Sequence, residues 1–448
     1  MTIPIYTARS RAEFGRRSQE HGGIRLIFHL RKGEVMRSAS RWSFRHLLGF
    51  RLLTLPEKPF LEGFKTDHKN HCPLCNTEGQ SSQSVDHYWT KILISDCPID
   101  FLKSTDSELL RLPGGFFWVQ LARVTRSQVV TEPRSYPQRE RRPPKADGFV
   151  NSTSAIPGSS SSVKLTSSEF EVDLDDLDED EHDARRSRPE EVTVHFLMSF
   201  LQFALNLCLL QDEGNREVRP RVERLKATIL VAGHDISAED DGGICMMDRQ
   251  PDGWRMVKPY LALVEAKKAF KYLDFDERTG QPKPVVSNET LAQYLGEAVM
   301  IWRANRTHLH QDVFLLAATN TFLRVIHFKF GSHYGEYVDA TSKEAQTILV
   351  DDENKDTFIY MNSTKWFNLQ TSGGRKSALC HILAIIRWHD KPYTISLPAI
   401  QDCSDRDPEA GYNGPEVDHS DEAISSGDDD DLPPMEDHSD QDTNMDSF

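Results

Sequence analysis

An apolar segment near the middle of the chain ends abruptly in charge: PYLALVEAKKAF, at positions 259–270. In a strand, successive side chains alternate between the two faces, which puts Leu263, Glu265 and Lys267 on one side. Both faces are apolar up to residue 265, a pattern typical of a strand that is covered on both sides. An unpaired carboxylate in such a place costs several kcal/mol, so a neighbouring group must neutralise Glu265.

Two kinds of neighbour can neutralise Glu265. One is Lys267, in an ion pair between two residues of the same strand face. The other is a divalent cation, because carboxylates from two strands and a backbone carbonyl supply the oxygen ligands that Mg²⁺ prefers. A water molecule of that cation would then attack a phosphodiester, and Lys267 would orient the water. This second interpretation requires another carboxylate nearby.

The preceding sequence predicts a hairpin that can supply this carboxylate. Positions 251–253, Pro-Asp-Gly, form a strong turn signal between the apolar runs 244–247 and 260–264. A hairpin that pivots on this turn brings the residues just before position 244 next to the end of the second strand.

Three aspartates lie on the first strand of this hairpin or beside it. A pivot at the centre of the turn places Asp241 opposite Leu263, on the face that also carries Glu265. A register change of one residue would exchange the faces and substitute Asp240 for Asp241. Asp248 would lie at the far end of the hairpin, and we rank it last.

The order of these elements resembles the PD-(D/E)XK nuclease superfamily, and more narrowly the PD-(D/E)XK nuclease-like proteins of filamentous fungi. The matching features are an acid that starts one strand, the ExK sequence of residues 265–267 that ends the next, and a later helix with an inward-facing Gln293. The resemblance covers about residues 190–390. It implies an α/β core of the restriction-endonuclease type.

The resemblance also implies a role for each residue of the motif. Asp241 matches its first acid and Glu265 its second, so both are expected to hold Mg²⁺ or Mn²⁺, with the carbonyl of Ala266 as a further ligand. Lys267 matches the lysine of the motif. The proline that usually precedes the first acid is absent, because Asp240 occupies that position. Asp240 therefore remains an alternative metal ligand.

Two helices are expected to support this site. The segment 191–210 is apolar enough for a membrane span, but its polar residues recur at helical spacing in one narrow stripe, which predicts a core helix. In the superfamily an early helix often contributes an acid, and Glu191 is the candidate; a glutamate at a helix N-terminus is equally favourable without such a role. Gln293 belongs to a helix from Ser287 to about Asn305, either in the site or on a solvated polar face.

The remaining elements complete the predicted unit. Residues 313–328 are expected to form two strands about a short turn, 357–362 another strand, and 375–389 a closing helix. This order predicts an α/β fold with a mixed central sheet flanked by helices.

Composition divides the chain into four regions. They are a basic N-terminal accessory region at 1–148, a serine-rich and acidic linker at 149–187, the nuclease-like domain at 188–392, and an acidic tail at 393–448. The segment 169–183 has ten acids and no Lys or Arg, and the residues from 404 onward have sixteen acids against one arginine. Such stretches cannot bury enough apolar surface to order themselves, which predicts disorder.

Positive charge is concentrated in the first part of the chain. The net charge of the whole protein is -16, but residues 1–168 hold 25 Lys and Arg against 15 Asp and Glu, whereas 184–403 hold 27 against 28. Aromatic residues interleave the first arginines, a pattern compatible with nucleic-acid backbone contacts and base stacking: Phe28, Trp42, Phe44 and Phe50. A solvated basic face explains the charges equally well. Nucleic acid is the expected partner, and the acidic tail could recruit a basic protein.

The cysteines give a weaker signal. Seven cysteines without regular spacing are typical of a reducing compartment. Cys72 and Cys75 have the spacing of half a zinc site, but a second pair is not evident, and His68, His87 or Cys97 would have to complete the ligands. We therefore expect no stoichiometric zinc.

Further motifs bear on localisation and function. Residues 1–20 lack the apolar stretch of a secretory signal, and RERRPPK at 139–145 is compatible with nuclear import, so we expect an intracellular protein of the nucleus or cytoplasm, not a secreted one. Neither GxxxxGK[ST] nor GxGxxG is present, so we expect no nucleotide cofactor, and we expect no membrane association.

The predicted function is metal-dependent hydrolysis of DNA or RNA phosphodiester bonds. The alternatives are a catalytically inactive nuclease-fold module that binds nucleic acid or protein, and a structural adaptor.

Overall fold

The computed structural model describes residues 5–75, 86–126, 191–211, 215–267, 272–275 and 282–390. It confirms an α/β architecture with a mixed central sheet flanked by helices. The strands are β1 (Leu52–Thr54), β2 (Arg216–Arg221), β3 (Lys226–Val231), β4 (His234–Glu239), β5 (Gly243–Gln250), β6 (Gly253–Lys267), β7 (Tyr272–Phe275), β8 (Pro282–Val285), β9 (Asp312–Thr319), β10 (Phe322–Phe330), β11 (Ile359–Ser363) and β12 (Phe367–Asn368).

Helices account for most of the other described residues. They are α1 (Arg11–Glu20), α2 (Lys32–Val35), α3 (Phe44–Gly49), α4 (Lys65–His71), α5 (His87–Ile94), α6 (Asp106–Leu110), α7 (Gly115–Arg126), α8 (Glu191–Phe203), α9 (Asn288–Ala304), α10 (Arg306–Leu309), α11 (Tyr334–Asp339), α12 (Lys343–Asp351) and α13 (Ser372–Asp390). Short 3₁₀ turns lie at Ile27–His29, Ala39–Arg41 and Glu62–Phe64, and α8 continues as a π-helical turn over Ala204–Cys208.

The central sheet has the strand order β1-β11-β10-β9-β6-β5-β2, and β12 also pairs with β10. β6 is parallel to β9 and β1 is parallel to β11, whereas the other neighbours are antiparallel. β3 pairs with β4 in one separate hairpin, and β7 with β8 in another. β6 is thus an interior strand with a neighbour on each side.

Two apolar cores cover the two faces of this sheet. On one face α9 and the N-terminal segment pack over Leu263 of β6, and on the other face α7, α8 and α13 pack over Val264. Both residues are fully buried. Burial on both faces explains why the second half of this strand, from Leu261 to Val264, is apolar at every position rather than at alternate ones.

The β5–β6 hairpin forms as predicted but in a different register. The sequence predicts Asp241 opposite Leu263, whereas the structure pairs Gly243 with Leu263. The pairing has two irregularities. The partner in β6 moves from Met256 to Lys258 between Met247 and Met246, and from Lys258 to Ala262 between Met246 and Ile244. These extra residues in β6 shift the pairing, and Asp241 lies two positions further along β6 than predicted, toward Glu265.

The N-terminal residues are part of the same core. β1 adds to the sheet beside β11, and Trp42, Phe44 and Phe50 are buried, with at most 3% of each exposed. This differs from the predicted accessory region. It also corrects the expectation of base stacking at these three aromatic residues, because their rings are enclosed by protein.

Helix α8 with its π-helical turn is the apolar segment that raised the question of a membrane span. Among the described residues, one helical segment, Glu191–Cys208 with 18 residues, is long and apolar enough to cross a membrane. Within the protein, 61% of this segment is buried. Burial against α7 and the sheet is what a core helix requires. The predicted linker at 149–187, the basic run at 139–145 and the tail at 393–448 lie outside the described residues.

Candidate active site

The carboxyl end of β6 places Glu265 and Lys267 beside the end of β9, with Glu265 paired opposite Ala317. The side chain of Glu265 is only 2% exposed, whereas that of Lys267 is 25% exposed. The Nζ of Lys267 lies 2.5 Å from Oε1 of Glu265. The ion pair expected from the sequence therefore forms, with Lys267 between the buried carboxylate and solvent.

Asp241 approaches the same strand end from the loop before β5. Its backbone N–H donates to the carbonyl of Val264 at 3.1 Å, and the N–H of Val264 donates to the carbonyl of Gly242 at 3.0 Å. The Oδ2 of Asp241 accepts the N–H of Ala266 at 3.0 Å, and its Oδ1 lies 3.3 Å from Nη2 of Arg224. Asp241 thus lies next to the peptide that follows Glu265.

Asp240 has a structural partner, Arg221, on β2. Two guanidinium nitrogens contact its two carboxylate oxygens at 3.0 and 2.7 Å, and both side chains are at most 1% exposed. Oδ1 of Asp240 also accepts the N–H groups of Leu225 and Gly242. Both oxygens of Asp240 are thus engaged in holding the loop that carries Asp241, which favours Asp241 over Asp240 as the metal ligand.

Gly242 is required at this loop. Its φ is +126°, and a Cβ there would lie 2.5 Å from the carbonyl oxygen of Arg221 and 2.5 Å from Cε of Met198. A larger residue would displace the turn that follows Asp241.

Helix α9 begins after the predicted N-cap, Ser287, and brings two side chains to Glu265. Nε2 of Gln293 donates to Oε1 of Glu265 at 2.5 Å and to Oε1 of Glu297 at 2.9 Å. Glu297 is 1% exposed, and its Oε2 is buried with no hydrogen-bond partner among the described residues. The position of Gln293 agrees with the inward orientation expected from the resemblance.

Burial controls the protonation of the two glutamates. Burial, reinforced by the nearby Asp241, raises the pKa of Glu265 to about 7, and the ammonium of Lys267 opposes this rise. Burial and the adjacent Glu265 carboxylate raise the pKa of Glu297 well above its ordinary value. The neutral form of Glu297 is therefore favoured over the charged form in this buried position. Two carboxyl groups with separated pKa values at one place are typical of a functional site.

The early helix contacts the site through a different residue from the one predicted. Oγ1 of Thr193 donates to the backbone carbonyl of Lys267 at 3.4 Å. Glu191, the first residue of α8 and two residues before Thr193, is exposed. The role suggested for Glu191 stays a prediction.

The donor set suits a hard divalent cation. Asp241 and Glu265 offer carboxylate oxygens, and Gln293 links Glu265 to a third carboxyl group, Glu297. Lys267 and Arg224 place positive charges beside Glu265 and Asp241. Carboxylate oxygens are the ligands that Mg²⁺ and Mn²⁺ prefer.

Sequence reasoning missed two residues of this site. Glu297 follows Gln293 by one helical turn, and that spacing was the available signal. Arg224 lies in the connection between β2 and β3, where no local pattern marks it. Asp248, ranked last, pairs opposite Arg255 and bonds Arg216 at 3.2 Å, at the far end of the hairpin.

A comparison with family models found no match to the chain, and a comparison with curated proteins found none either. The side chains of the site are therefore the basis for assigning a function.

Proposed function

We propose that this protein is a PD-(D/E)XK-like nuclease that hydrolyses phosphodiester bonds of DNA or RNA with Mg²⁺ or Mn²⁺. The observation that carries the proposal is the meeting of Asp241, Glu265 and Lys267 at the end of β6, with Gln293 of the next helix bound to Glu265. The same four residues carry the resemblance in the sequence.

The cation would be held by Asp241 and Glu265, with the carbonyl of Ala266 as a further ligand. When bound, it supplies a Lewis acid that polarises a phosphoryl oxygen and lowers the pKa of a bound water. The backbone N–H of Ala266 and the amide of Gln293 orient the two carboxylates, so their positions are fixed before substrate arrives.

Lys267 acts between the carboxylates and the substrate. Its Nζ contacts Glu265 and its side chain is partly exposed, so it can orient the attacking water and stabilise the charge that develops on the phosphate. Glu265 must be ionised to bind a cation. Its pKa of about 7 makes this ionisation sensitive to pH near neutrality.

Cations at the site and on a segment that packs against α9 favour an anionic substrate. Arg224 beside Asp241 is 48% exposed, so its guanidinium is accessible from solvent. The segment from Arg37 to Trp42 packs on α9, since a Cβ on Gly296 would lie 2.7 Å from Ala39 and 3.1 Å from Trp42. Arg37 and Arg41 are exposed on that segment. Guanidinium groups in these places are suited to bind phosphates along a nucleic-acid strand.

A second function, binding nucleic acid or a protein partner without catalysis, is favoured by the closure of the site. Glu265 already has Lys267 and Gln293 at 2.5 Å, and Asp241 has Arg224 at 3.3 Å. An internally neutralised cluster of this kind can stabilise a fold without any metal.

A single-turnover cleavage assay distinguishes these functions. Full-length protein is incubated with labelled single- and double-stranded DNA and RNA in Mg²⁺ or Mn²⁺, and with EDTA as the control. We expect EDTA to stop cleavage and Lys267→Ala to reduce it by about 10²–10³-fold. Lys258→Ala, a lysine on the same strand but away from the site, is the matched control and should retain activity.

Equal cleavage by wild type and Lys267→Ala would exclude the nuclease proposal. Binding of nucleic acid without cleavage in either metal would favour the second function.

A further inference from the structure

A second cluster of potential metal ligands lies on the other side of the sheet. His68 on α4, Cys72 and Cys75 after it, and Cys380 on α13 each place one ligand atom within 4.8 Å of the others. Cys380 follows Cys72 by 308 residues, so the cluster exists only in the folded protein. None of these residues takes part in the proposed nuclease site.

The sulfur positions have the geometry of a tetrahedral site. Sγ of Cys72 lies 3.7 Å from Sγ of Cys380, and Sγ of Cys75 lies 3.9 Å from the same atom. Two thiolates at about 2.3 Å from one zinc ion, at the tetrahedral angle, are separated by about 3.8 Å. A disulfide would instead require about 2.05 Å. The three sulfurs are therefore spaced as ligands of a common ion.

The imidazole of His68 supplies the fourth ligand. Its Nε2 is buried and has no hydrogen-bond partner among the described residues. The ring packs against Phe60 with a centroid distance of 4.2 Å, which holds its orientation. The other histidines nearby are engaged: His71 lies 3.5 Å from Asp67, and His381 bonds the carbonyl of Ser377 at 2.8 Å.

The local backbone has the form of a zinc-binding loop. α4 ends where the N–H of Cys72 donates to the carbonyl of His68, and the N–H of Cys75 donates to the carbonyl of Cys72 at 3.3 Å. This tight turn brings the two cysteines of the C-x-x-C sequence to one side, facing the helix that carries Cys380. Cys72 and Cys380 are buried, whereas Cys75 is exposed, so an ion can enter past Cys75.

We propose that His68, Cys72, Cys75 and Cys380 form a structural zinc site that fastens α4 to α13. Four protein ligands of the Cys₃His type close the coordination shell and leave no position for a substrate. Thiolate and imidazole donors select zinc over the magnesium suited to the carboxylate site. The ion pair between Asp67 and Arg387, at 2.7 Å, joins the same two helices near the cluster.

This proposal differs from the expectation of no zinc. That expectation rested on the absence of a second cysteine pair in the sequence, with His68, His87 or Cys97 as the possible further ligands. In the structure His68 lies in the cluster, and the distant Cys380 takes the place of His87 and Cys97.

Elemental analysis of the full-length protein tests the site. We expect about one zinc per chain in wild type purified without chelator, and less than about a tenth of this in Cys380→Ser. Cys97→Ser is the matched control, because Cys97 is a partly exposed cysteine outside the cluster, and it should retain the zinc.

Cobalt substitution keeps the test decisive if Cys380→Ser fails to fold. Co²⁺ added to reduced, zinc-free wild type should give the ligand-field absorption of tetrahedral cobalt together with thiolate charge-transfer bands. Absence of both zinc and this spectrum in wild type would overturn the proposal, as would full zinc content in a folded Cys380→Ser variant. Neither result depends on nuclease activity.

Discussion

Asp241 Oδ2 accepts a hydrogen bond from the backbone N–H of Ala266 at 3.0 Å, which fixes this carboxylate beside the peptide bond that joins Glu265 to Ala266. The preceding residue, Asp240, points elsewhere: its carboxylate forms a buried ion pair with Arg221. Adjacent aspartates thus have separate tasks. This division of roles leads to a test by paired substitutions.

Asp240→Asn and Asp241→Asn should fail in different ways. The first leaves the fully buried guanidinium of Arg221 without a counter-ion, and we expect it to lower the free energy of unfolding by about 3–5 kcal/mol. The second leaves Arg224, whose side chain is 48% exposed and can turn to solvent, so the fold should persist while cleavage is abolished. Urea unfolding and cleavage of the same preparations provide the comparison. A stable, inactive Asp240→Asn together with an active Asp241→Asn would reverse the assignment.

The stability of the metal-free protein should depend on the ionisation of Glu265. Its folded-state pKa of about 7 lies above the ordinary value of 4.5, because burial favours the neutral acid. The stabilisation from this group is therefore complete below about pH 4.5 and is lost as pH rises through about 7. Relative to Glu265→Gln, we expect wild type to lose on the order of 3 kcal/mol across that range.

Denaturant unfolding in EDTA, repeated at several pH values, measures this difference. Glu265→Gln carries no ionisable group at this position and serves as the reference. Parallel pH profiles for the two proteins would show that Glu265 ionises normally.

Gln293 should act as a positioning residue. Gln293→Met preserves the length of the side chain but removes the N–H groups that bond Glu265 and Glu297. A carboxylate that loses a hydrogen-bond donor has a higher pKa, so the pKa of Glu265 should rise in this variant. The acidic limb of the pH–rate profile should therefore move to higher pH. We expect a reduction of about 10–100-fold in the cleavage rate near neutrality, as for other residues that orient metal ligands. An unshifted pH profile would indicate that Gln293 only fills space.

The exposed arginines beside α9 should contribute to nucleic-acid affinity. The double variant Arg37→Ala/Arg41→Ala should bind nucleic acid of any sequence more weakly. The slope of log affinity against log salt concentration should fall by about 1 for each phosphate that the variant no longer binds. Lys103→Ala is a suitable control, because this side chain is 86% exposed and lies away from the site. Fluorescence anisotropy at several salt concentrations gives both quantities. An unchanged salt slope in the double variant would place the nucleic acid elsewhere.

Local sequence patterns were sufficient to predict many of the elements. The turn at 251–253, the helix that starts after Ser287 and the strands either side of Asn320 all follow from turn chemistry, capping and apolar runs. These features are encoded by residues close together in the chain. The ExK end of β6 was visible for the same reason, since apolar residues give way to charge within one strand.

Long-range pairings could not be predicted in the same way. The extra residues in β6 leave no mark in its hydrophobic pattern, yet they decide that Gly243, not Asp241, faces Leu263. Arg221 pairs with Asp240 and so leaves Asp241 for the site, and Cys380 joins the cluster of His68, Cys72 and Cys75. Both contacts exist only in the folded chain. The incorporation of β1 into the sheet is a further case, because its partner β11 lies about 300 residues later.

Binding of Mn²⁺ to the full-length protein tests the carboxylate site without requiring a substrate. Titration followed by electron paramagnetic resonance of free Mn²⁺, near pH 8 where Glu265 is ionised, should show Mn²⁺ bound to wild type. Binding should weaken by at least about tenfold in Asp241→Asn and in Glu265→Gln, since each loses an anionic ligand. Equal Mn²⁺ binding by wild type and both variants, or none by wild type, would contradict a divalent-cation site at Asp241 and Glu265.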